Sequence, residues 1–184
     1  GLFARGSLLL EPYADMPDSV GRMTFDRASI EAMTAAVHEA GFDMHVHVDA
    51  DGSARTVLDA FAQVQKEIGR GNSRHLIAHN TLVAPEDLPR YAEMGVMANC
   101  TPLWGTDYHG QYRTIYTELL GAERVEERVF PYGDLVRSGA VVTFGADLPG
   151  VDVDEIPPLT QIEAAMTRKR PGFPQDDAFV PRQR

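Results

Sequence analysis

Residues 42–68 read FDMHVHVDADGSARTVLDAFAQVQKEI. A short run of valine and histidine stops at the polar punctuation Asp49 to Gly52, and Val57, Phe61, Val64 and Ile68 then recur at the spacing of one helical face. This is a strand, a turn and a helix, the first part of a parallel βαβ unit. The same order returns on either side. Before it, Asp26 is a good N-cap, Ile30, Met33 and Val37 form a helical stripe, and Gly41 supplies a stop. After it, Gly69, Gly71, Asn72 and Ser73 break the pattern, RHLIAH (74–79) reads as a second strand, and Pro85 opens a helical turn ahead of Leu88, Tyr91 and Met94. GVMAN (95–99) is a third strand. It is followed by a long polar and aromatic loop over 101–113, a helical stretch near 115–120, a short helix over 132–138, a fourth strand over 140–144 and a last helix over 157–167.

Strands alternating with helices indicate an α/β fold with parallel strands covered on both faces. An open doubly wound sheet gives the same alternation. A barrel is favoured because no Gly-rich phosphate turn follows any strand and the polar ligand types all lie at strand C-terminal ends. The chain has 184 residues, whereas a full eightfold barrel takes about 250. The expectation is therefore a partial (β/α)8 TIM-type barrel, the C-terminal part of a barrel domain. Residues 1–25 would form a loop over the barrel mouth and residues 26–184 the βα units, with the first strands and a small β-domain absent. Gly1 in place of Met, and a polar, Pro-containing end, add to the expectation of a fragment.

A net charge of −10 and a pI near 5.0 argue against a nucleic-acid or anionic-membrane surface, which clustered Lys and Arg would bind. One cysteine, Cys100, allows no internal disulfide, and no apolar run is long enough to span a bilayer. A cytoplasmic protein with a small-molecule partner, and a homo-oligomeric state, are expected. The chain contains no GxSxG elbow, GxxxxGK[ST] loop, HExxH helix or CxxC pair, so nucleophilic-serine and phosphate-loop chemistry drop out.

What remains is a spaced set of metal-ligand types: His45 and His47, His79, and Asp147 in FGADLPG. Each ends an apolar run, and residues at successive strand ends of a barrel converge however far apart they are in sequence. Zinc and similar ions take imidazole nitrogen and carboxylate oxygen, with about three protein ligands at a catalytic site. His45 and His47, two apart on a strand, share a face with Cα atoms about 6.6 Å apart. His47 is nearer the strand end and is the preferred ligand, with His45 a packed, hydrogen-bonded support. His75 and His79 are about 13 Å apart and cannot share an ion; His79 is the candidate and His75 belongs to the stability face. Asp147 follows two small residues, which leaves it room to act as ligand and proton shuttle. Asp49 and Asp51 either orient imidazoles or cap the next helix, capping being favoured for Asp51. The alternative is bland: core histidines, a turn aspartate at 147 and a small buried Cys100.

MHVHVDADGSARTVLDAF (44–61), RHLIAHNTLVAPEDLPRYAEMGVMANCTPLW (74–104) and VVTFGADLPG (141–150), in that order, resemble the later strands of the amidohydrolase superfamily. More narrowly they resemble amidohydrolase family three, the branch that includes N-substituted formamide deformylases. The likeness runs from LLLEPYAD (8–15) to the FVPRQR end (179–184). It implies a metal-dependent hydrolase of carbon–nitrogen bonds other than peptide bonds, working on an amide or N-acyl bond with metal-activated water. His47, His79 and Asp147 would be ligands of one or two divalent ions, zinc foremost, and Asp147 the catalytic proton carrier. Tyr13, Trp104, Tyr108 and His109 would line the substrate pocket, with His45 and Asp51 behind the ligands. The family's first-strand His-x-His has no counterpart here. The competing expectation is a non-catalytic barrel fragment that binds metal weakly or serves as an assembly module.

Overall fold

A computed structural model of the chain describes residues 1–107, 110–150, 152–153 and 156–183, with Arg182 described by its backbone only. Two residues expected at the substrate pocket, Tyr108 and His109, lie outside this set. Among the described residues the elements run α1 (Arg27–Glu39), β1 (His45–Val48), α2 (Asp51–Ile68), β2 (Leu76–His79), α3 (Leu88–Met94), β3 (Met97–Cys100), α4 (Tyr112–Leu120), α5 (Ala122–Arg128), α6 (Tyr132–Arg137), β4 (Val141–Phe144) and α7 (Pro158–Thr167).

The four strands are parallel and lie in the order β1-β2-β3-β4. Neighbours in sequence are neighbours in space, and nowhere does the order reverse as it does in a doubly wound sheet. This is the α/β architecture of part of a β/α barrel. The register aligns His45, Leu76, Met97 and Val141 in one row, and His47, Ala78, Asn99 and Thr143 in the next on the same face. The opposite face carries Val48, Ile77, Ala98 and Cys100, all fully buried with Val57, Leu58 and Phe61 of α2, Tyr91 of α3 and Leu135 of α6 in one core. One face is thus apolar and helix-covered, and the other mixes polar and apolar residues and is less buried.

Local chemistry sets the boundaries. The Asp26 carboxylate accepts from Ser29 N at 2.8 Å and caps α1, and Gly41 past its end takes the left-handed φ of 81°. Before β1 and β2 the entry residues spend backbone donors on side chains. Arg74 N donates to Asp43 Oδ1 (2.6 Å), and Met44 N donates to His75 Nδ1 (3.0 Å). His75, at the base of β2, is buried and also 3.2 Å from His38 Nδ1.

The largest departure from expectation is Asp51. It neither caps α2, whose N-cap is Ala50, nor reaches an imidazole. It is fully buried, accepts from Leu10 N (3.0 Å) and Gly52 N (2.9 Å), and pairs with Arg128 Nη1 at 3.1 Å. Arg128 in turn bonds Glu11 at 2.7 Å. The 1–25 segment is therefore tied to the start of α2 and to α5, at the end of the sheet where β1 gives way to α2. Leu8 and Leu9 press so closely on α2 that a Cβ added at Gly52 would come within 2.8 Å of the Leu8 carbonyl oxygen, which is why the second residue of the helix is glycine. Tyr13, expected at the substrate pocket, is instead buried inside this segment, and its hydroxyl donates to Ser7 O at 2.7 Å. α5 was not anticipated: it follows α4 after the single residue Gly121, and with Val125 its one buried residue it carries no apolar stripe.

Removing Asp51 leaves Arg128 with Glu11 but strips the Leu10 N–H of its acceptor, a loss of about 1–3 kcal/mol. Asp51→Ala should lower unfolding stability by about that amount in urea titration and make the 1–25 segment the first site of protease cleavage. Unchanged stability with an uncut segment would show that the anchor is dispensable.

Candidate functional site

His47 projects from the less buried face of β1, and its Nε2 lies 3.3 Å from Asp49 Oδ2. By strand periodicity His79 should point with Ile77 into the helix-covered core. It does not, because the backbone turns left-handed at His79 (φ 68°) and again at Asn80 (φ 52°). Asn80 holds that turn from within: its Nδ2 donates to Ile77 O at 2.9 Å, and its Oδ1 accepts from Tyr91 OH at 2.7 Å. Asparagine and histidine are among the side chains that tolerate this region.

So turned, the His79 ring meets four neighbours. It stacks on Trp104 at 4.7 Å and an interplanar angle of 11°, and it meets His47 edge-on at 4.6 Å. Its Nδ1 is 3.0 Å from the buried Thr101 Oγ1, which leaves Nε2 facing Asp147 Oδ1 at 4.0 Å. Engagement of one ring nitrogen by a neighbour is how ligand histidines are commonly oriented. Asp147 also sits in left-handed backbone (φ 55°), just past Gly145, whose N–H still bonds Cys100 O at 2.9 Å. Non-glycine residues in that region cost of order 1–3 kcal/mol each and cluster at functional sites.

The structure therefore brings His47, His79, Asp147 and Trp104 together from β1, β2, the end of β4 and the turn after β3. Asp49 and Thr101 join them. His45, expected as packed support, lies exposed one row below His47. Thr101 was missed as the partner of His79; its only sequence signal is a hydroxyl at the end of the third strand run. Among the described residues, no three His, Cys, Asp or Glu side chains close on one point as a metal site would require. The donor types suit a divalent ion, but they form an open half of a coordination shell.

The two imidazoles are pushed in opposite directions. The hydrogen bond that His47 donates to Asp49 raises His47 above the ordinary histidine range against the effect of burial, whereas burial and then the charge of His47 lower His79. Burial works to raise the Asp49 carboxyl, and the His47 hydrogen bond with the charges of His47 and His79 outweighs it, so Asp49 titrates below the usual carboxylate range. Two cavities meet at Asp49. One, about 510 Å³, runs under His45 and His47 beside Met23, Phe25 and Met33. The other, about 290 Å³, lies against Trp104.

With this geometry in hand, comparison with known proteins is informative. The model of a family described as "Amidohydrolase family" matches residues 2–182. The protein LONG AFTER FAR-RED 3 of Arabidopsis thaliana is 25% identical over 183 residues, which is 100% of this chain and 30% of that one. YtcJ of Bacillus subtilis (strain 168) is 25% identical over 169 residues, covering 91% of this chain and 30% of its own length. The chain thus spans about a third of the curated relatives it matches. A crystal structure described as an uncharacterized metal-dependent hydrolase from Pyrococcus horikoshii OT3 superposes with a TM-score of 0.76 at 26% identity, over 91% of this chain and 31% of that one. Among the described residues no helix is long and apolar enough to cross a membrane.

The opposed shifts have a measurable consequence. In a ¹H–¹⁵N NMR titration, His47 should lose its proton above the ordinary histidine pH and His79 below it, and Asp49→Asn should return His47 toward the ordinary value. For His47 the folded state holds the proton more tightly, so its stabilising contribution is full in acid and lost as pH rises through the raised pKa. For His79 the sign is opposite: stability falls as pH drops below the ordinary histidine value, because only the unfolded chain takes the proton readily. Coincident titration of the two rings would remove the coupling through Asp49.

Proposed function

This chain belongs to the amidohydrolase family, and on that footing we propose that its parent protein is a metal-dependent hydrolase of a carbon–nitrogen bond in an amide, N-acyl or N-formyl compound. The observation that carries the reading is the left-handed turn at His79. It takes an imidazole out of an apolar core and aims it at Asp147, at a cost that packing alone gives no reason to bear. His47, His79 and Asp147 would hold the ion, with further donors from the remainder of the parent, because these residues do not close a shell by themselves. Imidazole nitrogen and carboxylate oxygen are the donors zinc accepts. A divalent ion bound there supplies a Lewis acid and a water of lowered pKa.

The chain's own residues do the rest. Thr101 and the stacked Trp104 fix the plane of His79, and Asp49 fixes His47. Asp147, partly exposed at the strand mouth, takes a proton from the attacking water and returns it to the leaving nitrogen. Trp104 walls the site and limits how the acyl group enters. The open donor set also supports a second reading, a barrel fragment without catalysis that binds metal weakly.

Elemental analysis of the purified, unchelated full-length parent separates the two. Near-stoichiometric zinc or another transition metal is expected in the wild type, with clear loss in His47→Ala and His79→Ala. Asp147→Asn should lower kcat by about 10²- to 10⁴-fold on any amide the wild type turns over. Metal-free wild type that resists reconstitution would end the hydrolase reading.

A further inference from the structure

Arg168, just past the end of α7, is fully buried, and among the described residues its Nη1 and Nη2 have no hydrogen-bond partner. Phe179 holds the rest of the residue: Arg168 O accepts from Phe179 N at 2.8 Å, and Nε donates to Phe179 O at 3.0 Å. Burial lowers the guanidinium to about 10 against the opposing effect of Tyr132 and Cys100, so it stays charged at neutral pH. A buried charge that no carboxylate answers is expensive, and a hydrophobe fills such a place at lower cost. Filling the core therefore does not account for an arginine here.

Its surroundings do. The guanidinium lies over the Tyr132 ring, 4.8 Å from the centroid, a position suited to a planar cation. The backbone of Gly105 packs against both groups: a Cβ there would come within 2.5 Å of Arg168 Nη1 and 2.7 Å of Tyr132 Cε2. Gly105 closes the Pro102–Gly105 turn, and that turn carries two of the neighbours of His79. Thr101, at its N-cap, accepts at its carbonyl from Tyr132 OH (2.9 Å) and from Trp104 N (3.1 Å), while its Oγ1 is 3.0 Å from His79 Nδ1. The Trp104 ring is the one stacked on His79. We propose that Arg168 is a positioning residue of the candidate site: with Tyr132 it supports the 101–105 turn from behind, and so sets where Thr101 Oγ1 and the Trp104 ring stand against His79. Naming His79 a ligand in a hydrolase rests on the reading above; its placement by Arg168 does not.

The test reads the His79 ring directly, in the full-length parent labelled with ¹³C-histidine. The His79 cross-peaks are those missing from His79→Ala. Protons held over the face of an indole resonate upfield, so the stack should displace the His79 ring protons upfield, and Trp104→Leu should abolish the displacement. Arg168→Met and Arg168→Lys, which keep the length of the side chain without its plane, should each lose most of it. Tyr132→Phe, which keeps the ring and loses the bond to Thr101 O, should lose part. Zinc affinity, measured by competition with a chelator, should weaken about 10- to 100-fold in the two Arg168 variants, as it does where a residue orienting a metal ligand is changed. Thermal unfolding is followed alongside. An Arg168 that only fills the core gives variants that unfold at lower temperature while the folded protein keeps the wild-type His79 shift and zinc affinity, and that result overturns the proposal. Where the Arg168 variants do not fold, Tyr132→Phe decides by the same readout. The two readings fail separately. Displaced His79 signals in a parent that binds no zinc keep the positioning role and remove the hydrolase, whereas unmoved signals in one that binds zinc and turns over an amide keep the hydrolase and remove the positioning role.

Discussion

The buried amide of Asn80 is the interaction on which the site depends. Its two amide ends are satisfied within the core, Nδ2 by the carbonyl of Ile77 and Oδ1 by the hydroxyl of Tyr91 from α3. Buried polar groups left unpaired cost about 1–3 kcal/mol each, so these bonds fix the turn firmly enough to hold two consecutive left-handed residues. Without that turn, β2 would keep its period of two and place an imidazole among Ile77, Ala98 and the apolar face of α2. The turn converts a strand position that packing would give to a hydrophobe into one that meets Trp104, His47 and Asp147.

The sheet supplies the second constraint. Parallel strands in sequential order place their connecting helices together, and Val48, Ile77, Ala98 and Cys100 are buried beneath them while His45, His47, Asn99 and Thr143 share the other side. Burial raises the Cys100 thiol far above its ordinary value, which leaves it inert at neutral pH. The polar candidates His47, His79 and Asp147 therefore gather at the C-terminal ends of the strands, where a β/α barrel places its active site.

Much of this was legible in the chain because it is local. The cap at Asp26, the helical stripe from Val57 to Val64, the proline at the start of the turn before α3, and the strand-ending positions of His47, His79 and Asp147 follow from spacing and residue type. The rest depends on contacts distant in sequence. Asp51 finds Leu10 and Arg128, Tyr13 folds back on Ser7 within its own segment, and His79 departs from strand alternation because Tyr91 completes the bonding of Asn80. The Asn that follows His79 was a visible signal, since asparagine favours left-handed backbone, but its consequence for the facing of His79 required the fold. His45 was expected to be packed, as inner-face residues of a barrel usually are, and it lies exposed.

Asp51 shows how a residue can serve a site it never touches. It was expected to cap the next helix or to stand behind the imidazoles, and it stands instead beneath the opening segment, whose Leu10 N–H it accepts and whose Glu11 shares Arg128 with it. That segment returns to the site through Phe3, which lines the cavity against Trp104 together with Tyr112 and Tyr116. The same segment packs Leu8 and Leu9 so tightly on Gly52 that α2 has no room to shift toward it. The shape of a pocket at the strand ends is thus tied, through the opening segment and Phe3, to a buried ion pair at the start of α2.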